Sequence, residues 1–192
     1  MKTTMPLGRA LVLTVLASSA VMAGGCSLTA PRYTASLDNV QKLKDSGIAP
    51  TKVGTFHSDS GKGNATNISM RGSSLASPYN NSYPDYLAEA LKQELSLAGK
   101  LAPDAQIEVA GALQKNDIDV PLGTASGDMS ARFIVTRGGT VRYDQVKSIH
   151  DEWESSFVAA IAIPRAQQQY PIMVQKLLAA LYADPAFIQA LK

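Results

Sequence analysis

The sequence predicts an α+β fold: a two-layer sandwich with a mostly antiparallel sheet of about four strands and two main helices on one face, ordered β-α-β-β-β-α. Three observations predict it. In the second half of the chain, three successive segments alternate apolar with polar residues at a period of two. A helical Leu stripe precedes them and a second helical stripe closes the chain. Gly138-Gly139 joins two of the alternating segments, and glycine takes the positive φ angles of a tight hairpin without steric cost.

From the N-terminal side, residues 27–35 carry Ser, Thr, Pro and Ala with no apolar period and read as a tether, giving a 26–35 linker before a single domain at 36–192. Ser36 is placed to cap a helix over Leu37–Asp45, with Leu37, Val40 and Leu43 on one side and Gly47 as the stop. Residues 52–56 suit a first strand. Residues 57–82 are dense in Ser, Gly and Asn and predict a long loop with one extended stretch at 67–71. Such a loop in a compact domain is functional or mobile, and with Tyr79 and Tyr83 near its end it is the candidate contact surface.

Ser82 caps the next helix, Pro84 sits in its first turn, and Asp85 completes a capping-box spacing. Leu87, Leu91, Leu95 and Ala98 form its apolar face, and Gly99 ends it. The strand at 106–114 turns Ile107, Val109, Gly111 and Leu113 inward; the strand at 129–137 does so with Met129, Ala131, Phe133 and Val135. In the return strand from Thr140, the residues Val141, Tyr143, Ile149, Trp153 and Phe157 share a parity that Lys147 interrupts, which predicts a bulge or break near Gln145. Trp153 and Phe157 are expected in the core. Tyr170, Val174, Leu177 and Leu181 then form a helical stripe, with the helix expected to start at Pro171 rather than run on from Pro164. Asp184-Pro185 caps a short last helix.

The first 26 residues carry the clearest functional signal. Lys2 and Arg9 make a short basic segment, and residues 10–23 are uncharged and largely apolar, too short for the roughly 20 residues of a spanning helix. Ala23-Gly24-Gly25 leads to Cys26, the only cysteine. This resembles a lipobox, with Ala23 where Leu is usual, and implies a signal peptide at 1–25 and lipidation of Cys26 as the first mature residue. An unpaired cysteine in an exported chain otherwise needs another explanation. Of the 18 Lys and Arg, only Lys2 and Arg9 fall within 1–25, which has no acidic residue, so 16 basic residues face 16 acidic ones in the rest. No basic cluster points to nucleic acid.

Chemical motifs are sparse. His150, Glu152 and Glu154 share a strand face, a donor set a divalent metal could use, but alternation opposite Trp153 already predicts a solvated face there. His57 beside Ser58, Asp59 and Ser60 invites a nucleophile-and-base reading, with no nucleophile elbow or oxyanion hole in view. Gly61-Lys62-Gly63 lacks phosphate-loop spacing. No catalytic, metal-binding or cofactor-binding residue is expected, and no cofactor.

A lipobox ahead of a β-α-β-β-β-α domain resembles the small lipoproteins of Gram-negative envelopes: YajG-like proteins, auxiliary lipoproteins of ABC-type envelope transporters, and the lipoprotein partner of the lipopolysaccharide translocon. Met70-Arg71-Gly72-Ser73-Ser74-Leu75 through Tyr86-Leu87-Ala88-Glu89-Ala90-Leu91 resembles the strand-to-helix segment of the transport-auxiliary group. Trp153-Glu154-Ser155-Ser156-Phe157 with Ala162-Ile163-Pro164-Arg165-Ala166 resembles its last strand and following helix. The resemblance implies a non-enzymatic accessory or binding protein, membrane-held by its lipid, with an envelope protein as partner. A lipid-handling subunit of an ABC-type transporter is the alternative, and a hydrolase using the His57 region a remote one. Ser27 after the cysteine, where inner-membrane retention uses Asp, points to the outer membrane.

Overall fold

The computed structural model describes residues 27–59 and 64–192. The signal segment 1–25, Cys26 and residues 60–63 lie outside the described residues.

The chain begins with strand β1 (Ser27–Thr29) and helix α1 (Leu37–Asp45), followed by strands β2 (Thr51–Ser58), β3 (Asn67–Met70) and β4 (Ser73–Ala76). Helix α2 (Tyr83–Leu97) leads into the long strands β5 (Ile107–Asp119), β6 (Gly123–Arg137) and β7 (Thr140–Ser155). Helices α3 (Ala159–Tyr182) and α4 (Pro185–Ala190) close the chain. The α+β architecture holds, built on two sheets rather than one. Four strands run β2-β5-β6-β7, with β2 parallel to β5 and the other pairs antiparallel. Three more run β1-β4-β3, with β1 parallel to β4.

α2 packs over β2 and β5, and α3 over β6 and β7. The sheet therefore shows its apolar parity to the helices: Ala125, Met129, Ala131, Phe133 and Val135 are buried on β6, while the intervening Asp128, Ser130 and Arg132 face out. Caps fall as the sequence predicts. Ser36 and Ser82 accept from the amides of Asn39 and Asp85 (3.4 and 3.2 Å), and Asp184 from Ala186 (2.8 Å). Gly47 and Gly99 end their helices at φ +67° and +70°. The Asp85 carboxylate takes the Asn80 amide (3.1 Å) instead of closing the capping box.

Several expectations need correction. Residues 27–35 are not a free tether: β1 pairs with β4, and Ala30 and Tyr33 are buried. Residues 57–82 are not one long loop: His57 and Ser58 continue β2, and residues 67–76 form a hairpin that buries Ile68, Met70 and Leu75. Leu37 is exposed and leaves Val40 and Leu43 to seat α1. β7 is unbroken; its irregularity lies opposite Val135/Thr136, so Arg142 rather than Gln145 is the extra residue. Lys147 belongs to the inward parity, and its ammonium meets Asp184 at 2.6 Å.

α3 is continuous through Pro164 and Pro171. An interior proline costs a helix about 3 kcal/mol. Here one continuous stripe, Ala162, Ala166, Tyr170, Met173, Val174, Leu177 and Leu181, is buried on both sides of the prolines. At about 1.5–3 kcal/mol per large apolar side chain, that burial outweighs the two lost hydrogen bonds. Trp153 is buried as expected, but Phe157 is exposed.

Candidate functional site

A tyrosine cluster fastens the N-terminal segment to the body. Tyr86 packs edge-on against Tyr33, Tyr79 and Tyr170 at centroid distances of 6.2, 5.2 and 5.0 Å, and Tyr83 lies 4.8 Å from Tyr170. Phenylalanine would fill the same space, but the hydroxyls of Tyr86, Tyr83 and Tyr33 each have an acceptor. Tyr86 donates to the Pro31 carbonyl and Tyr83 to that of Leu75, both at 2.8 Å, and Tyr33 donates to Glu94 Oε1 at 2.6 Å. Burial pushes the pKa values of Tyr33, Tyr83 and Tyr86 up, so these hydroxyls stay protonated donors.

Glu94 is the hub. It has no exposed surface, yet Oε1 also accepts from the Ser36 amide and the Asn39 side chain, both at 3.1 Å. Asn39 in turn donates to the Gln175 carbonyl of α3 at 3.0 Å. One carboxyl thus ties α2, α1, the N-terminal segment and α3 together. Burial raises its pKa, and hydrogen bonds from Tyr33, Asn39 and Ser36 only partly oppose this. Oε2 makes no hydrogen bond of normal geometry among the described residues.

The outer side of α2 carries the candidate contact site. A cleft of about 410 Å³ is lined by Arg32, Tyr79, Asn80, Asp85, Glu89 and Lys92. Arg32 stacks on the Tyr79 ring at 5.3 Å, and the Tyr79 hydroxyl accepts from the Tyr33 amide at 3.2 Å. Asn80 and Asn81 hold the loop in place with φ of +52° and +54°. A second cleft of about 450 Å³, lined by Gln93, Ser96, Leu97 and Leu101, shares Glu89 and Lys92 with the first. The two make one groove of mixed charge along α2, with Lys92 paired to Glu89 at 2.6 Å. Such a surface suits another protein's polar rim.

Of the residues singled out from sequence, Tyr79 reaches this groove, whereas Tyr83 is buried beneath it. His57 lies on β2, 63% exposed, with Nε2 3.9 Å from Asp59 Oδ1. His150 bonds Asp128 at 2.9 Å and Glu152 at 3.3 Å, which raises its pKa, while Glu154 turns to Arg165 at 3.4 Å. His150, Glu152 and Glu154 therefore do not converge, and among the described residues no group of three or more His, Cys, Asp or Glu side chains is arranged for a metal. Arg32 and Glu94 went unpredicted. Glu94 was findable: it sits three residues after Leu91 and seven after Leu87, on the apolar stripe.

No family model matches the chain, and no curated protein matches it in sequence. Solved structures resemble it. A DUF330-family protein from Xanthomonas campestris superposes with a TM-score of 0.52 at 11% identity, over 82% of this chain and 95% of its own. A hypothetical protein from Chlamydia trachomatis gives 0.48 at 11% identity, over 75% and 99%. A Caulobacter crescentus protein provisionally designated a lipoprotein gives 0.46 at 14% identity, over 81% and 98%. The first of these establishes an α+β fold shared over most of the chain. Among the described residues, no helix is long and apolar enough to cross a membrane.

Proposed function

We propose that the chain is a lipid-anchored accessory protein of a bacterial envelope, held to the outer membrane on its periplasmic side and working by binding rather than catalysis. One observation carries the reading: the lipobox-like Ala23-Gly24-Gly25-Cys26 is followed immediately by β1, so a lipid on Cys26 attaches directly to the folded body. The charged groove along α2 is the surface offered to a protein partner. Within this class, the resemblance at residues 70–91 and 153–166 favours an auxiliary subunit of an ABC-type envelope transporter.

The test uses Arg32→Glu with Lys92→Glu in the full chain. Recovery of crosslinked envelope partners should fall while the melting temperature holds, because both side chains line the open groove. Unchanged partners would remove the groove from the account. Turnover of ester, glycosyl or peptide substrates, lost on His57→Ala, would replace the binding reading with a hydrolase.

A further inference from the structure

Five consecutive residues from the β7–α3 connection into the first turn of α3, Phe157-Val158-Ala159-Ala160-Ile161, are all exposed and all apolar. Folded proteins scatter single apolar residues over their surfaces, but a contiguous exposed run marks a surface that something covers. Phe157 is 76% exposed, Val158 54% and Ile161 57%. Leu122, 62% exposed, lies beside them, because Gly123 pairs with Ser155 and the next residues outward are Leu122 and Ser156. Arg71 fixes the cluster: its guanidinium donates to the carbonyls of Val120 (2.5 Å), Pro121 (2.6 Å) and Ser156 (3.2 Å). Ser36, Ser82 and Asp184 cap the other helices, whereas α3 has Val158 at its N-cap and no side-chain cap.

The N-terminal segment leads to the same end of the molecule by two independent routes. β1 is parallel to β4 and pairs Ser27 with Ser74, just past the Arg71-Gly72 turn. On the other side, Gln167 donates to the Thr29 carbonyl at 2.5 Å and Gln175 to that of Thr34 at 2.8 Å. Residues 29–34 thus run along α3 in its own direction, and the chain before Thr29 points back toward the first turns of that helix. Cys26 is the next residue in sequence before Ser27, the start of β1.

We propose that Leu122, Phe157, Val158 and Ile161 form a membrane seat that enters the same leaflet as the lipid on Cys26. The occupant is the bilayer surface. Apolar side chains at the headgroup–acyl boundary bury their area there, and a body fixed at both its lipid and its seat keeps one orientation. The Gly138-Gly139 hairpin, at the other end of β6 and β7, then faces away from the membrane. The proposal rests on the lipoprotein reading of Cys26.

The test reconstitutes the full lipidated protein into vesicles of phosphatidylethanolamine and phosphatidylglycerol, with and without brominated acyl chains. Phe157→Trp probes the seat and Val141→Trp the opposite, exposed end; buried Trp153 is a background common to both. Brominated chains should quench the Phe157→Trp signal about twofold, as burial of 5–10 Å into the interface implies, and leave Val141→Trp unchanged. Equal quenching in both variants, with the protein still floating with the vesicles, would overturn the seat while leaving the anchor intact. An unquenched Phe157→Trp, with the protein still floating with the vesicles, would overturn it equally. Flotation that survives Cys26→Ser unchanged would instead remove the anchor, and the proposal with it.

Discussion

Replacing Glu94 tests the buried hub. Glu94→Ala leaves the Tyr33 hydroxyl and the Ser36 amide without their acceptor, while Asn39 keeps its bond to Gln175. An unsatisfied buried donor costs about 1–3 kcal/mol, so two orphans cost about 2–6 kcal/mol before any cavity is counted. Total stability for a domain is about 5–15 kcal/mol, so this loss is readily measured. Glu94→Gln keeps an acceptor on Tyr33, Ser36 and Asn39 and carries no charge to desolvate. The pH dependence separates the two effects. Because the folded-state pKa of Glu94 is raised above 4.5, its protonated form favours folding at low pH, and that contribution is lost as pH rises through the folded value. Glu94→Gln lacks this loss, so its stability relative to wild type should increase from pH 4.5 toward neutrality. Urea titrations across that range give both numbers. Glu94→Ala as stable as Glu94→Gln at neutral pH, or a Gln-to-wild-type difference that is flat with pH, would mean that Glu94 is not a buried acceptor with a raised pKa.

Three further outcomes follow from the core and its rim. Gly111→Ala should destabilise by about 1–3 kcal/mol in chemical denaturation, because its Cβ would stand 2.5 Å from the Arg132 carbonyl, a backbone atom with little room to move. Trp153→Ala should cost about 3–5 kcal/mol; an unchanged midpoint would place that ring outside the core. Asp184 bonds Lys147 and Tyr143, which hold its pKa down to about 2. Its stabilising contribution is therefore full above the unfolded value of 3.8 and lost as pH falls through about 2, and Asp184→Asn should flatten the acid limb of the stability profile.

The elements most legible in the sequence were those whose pattern and punctuation agree. In α2, a Ser cap, an early Pro, a Leu stripe and a closing Gly all point to one helix, and the β6–β7 hairpin has strict alternation on one strand and two glycines at its turn. The errors arose where tertiary packing overrides local chemistry. Nothing local in residues 27–35 says that they pair with β4 and lie on α3; only Tyr33, the one aromatic ring in the stretch, hints that something is buried. The hairpin at 67–76 was masked by its Ser and Asn content, since its inward residues are just Ile68, Met70 and Leu75. Pro171 argued locally for a helix start, whereas the stripe on both sides of it decides for continuity. Parity points Phe157 into the core, but β7 ends two residues before it. The groove was half legible: Tyr79 was picked out, but Arg32 reaches it only because the supposed tether is folded.

The proposed role depends first on Cys26 carrying lipid that holds this body to a membrane. Its most direct measurement is the mass of the mature N-terminal peptide, taken beside fractionation of Cys26→Ser after detergent-free washing. The expected result is a peptide beginning at Cys26 with acyl mass added, and a Cys26→Ser chain absent from the membrane fraction. An unmodified Cys26, or a Cys26→Ser chain that stays with membranes as firmly as wild type, would contradict it.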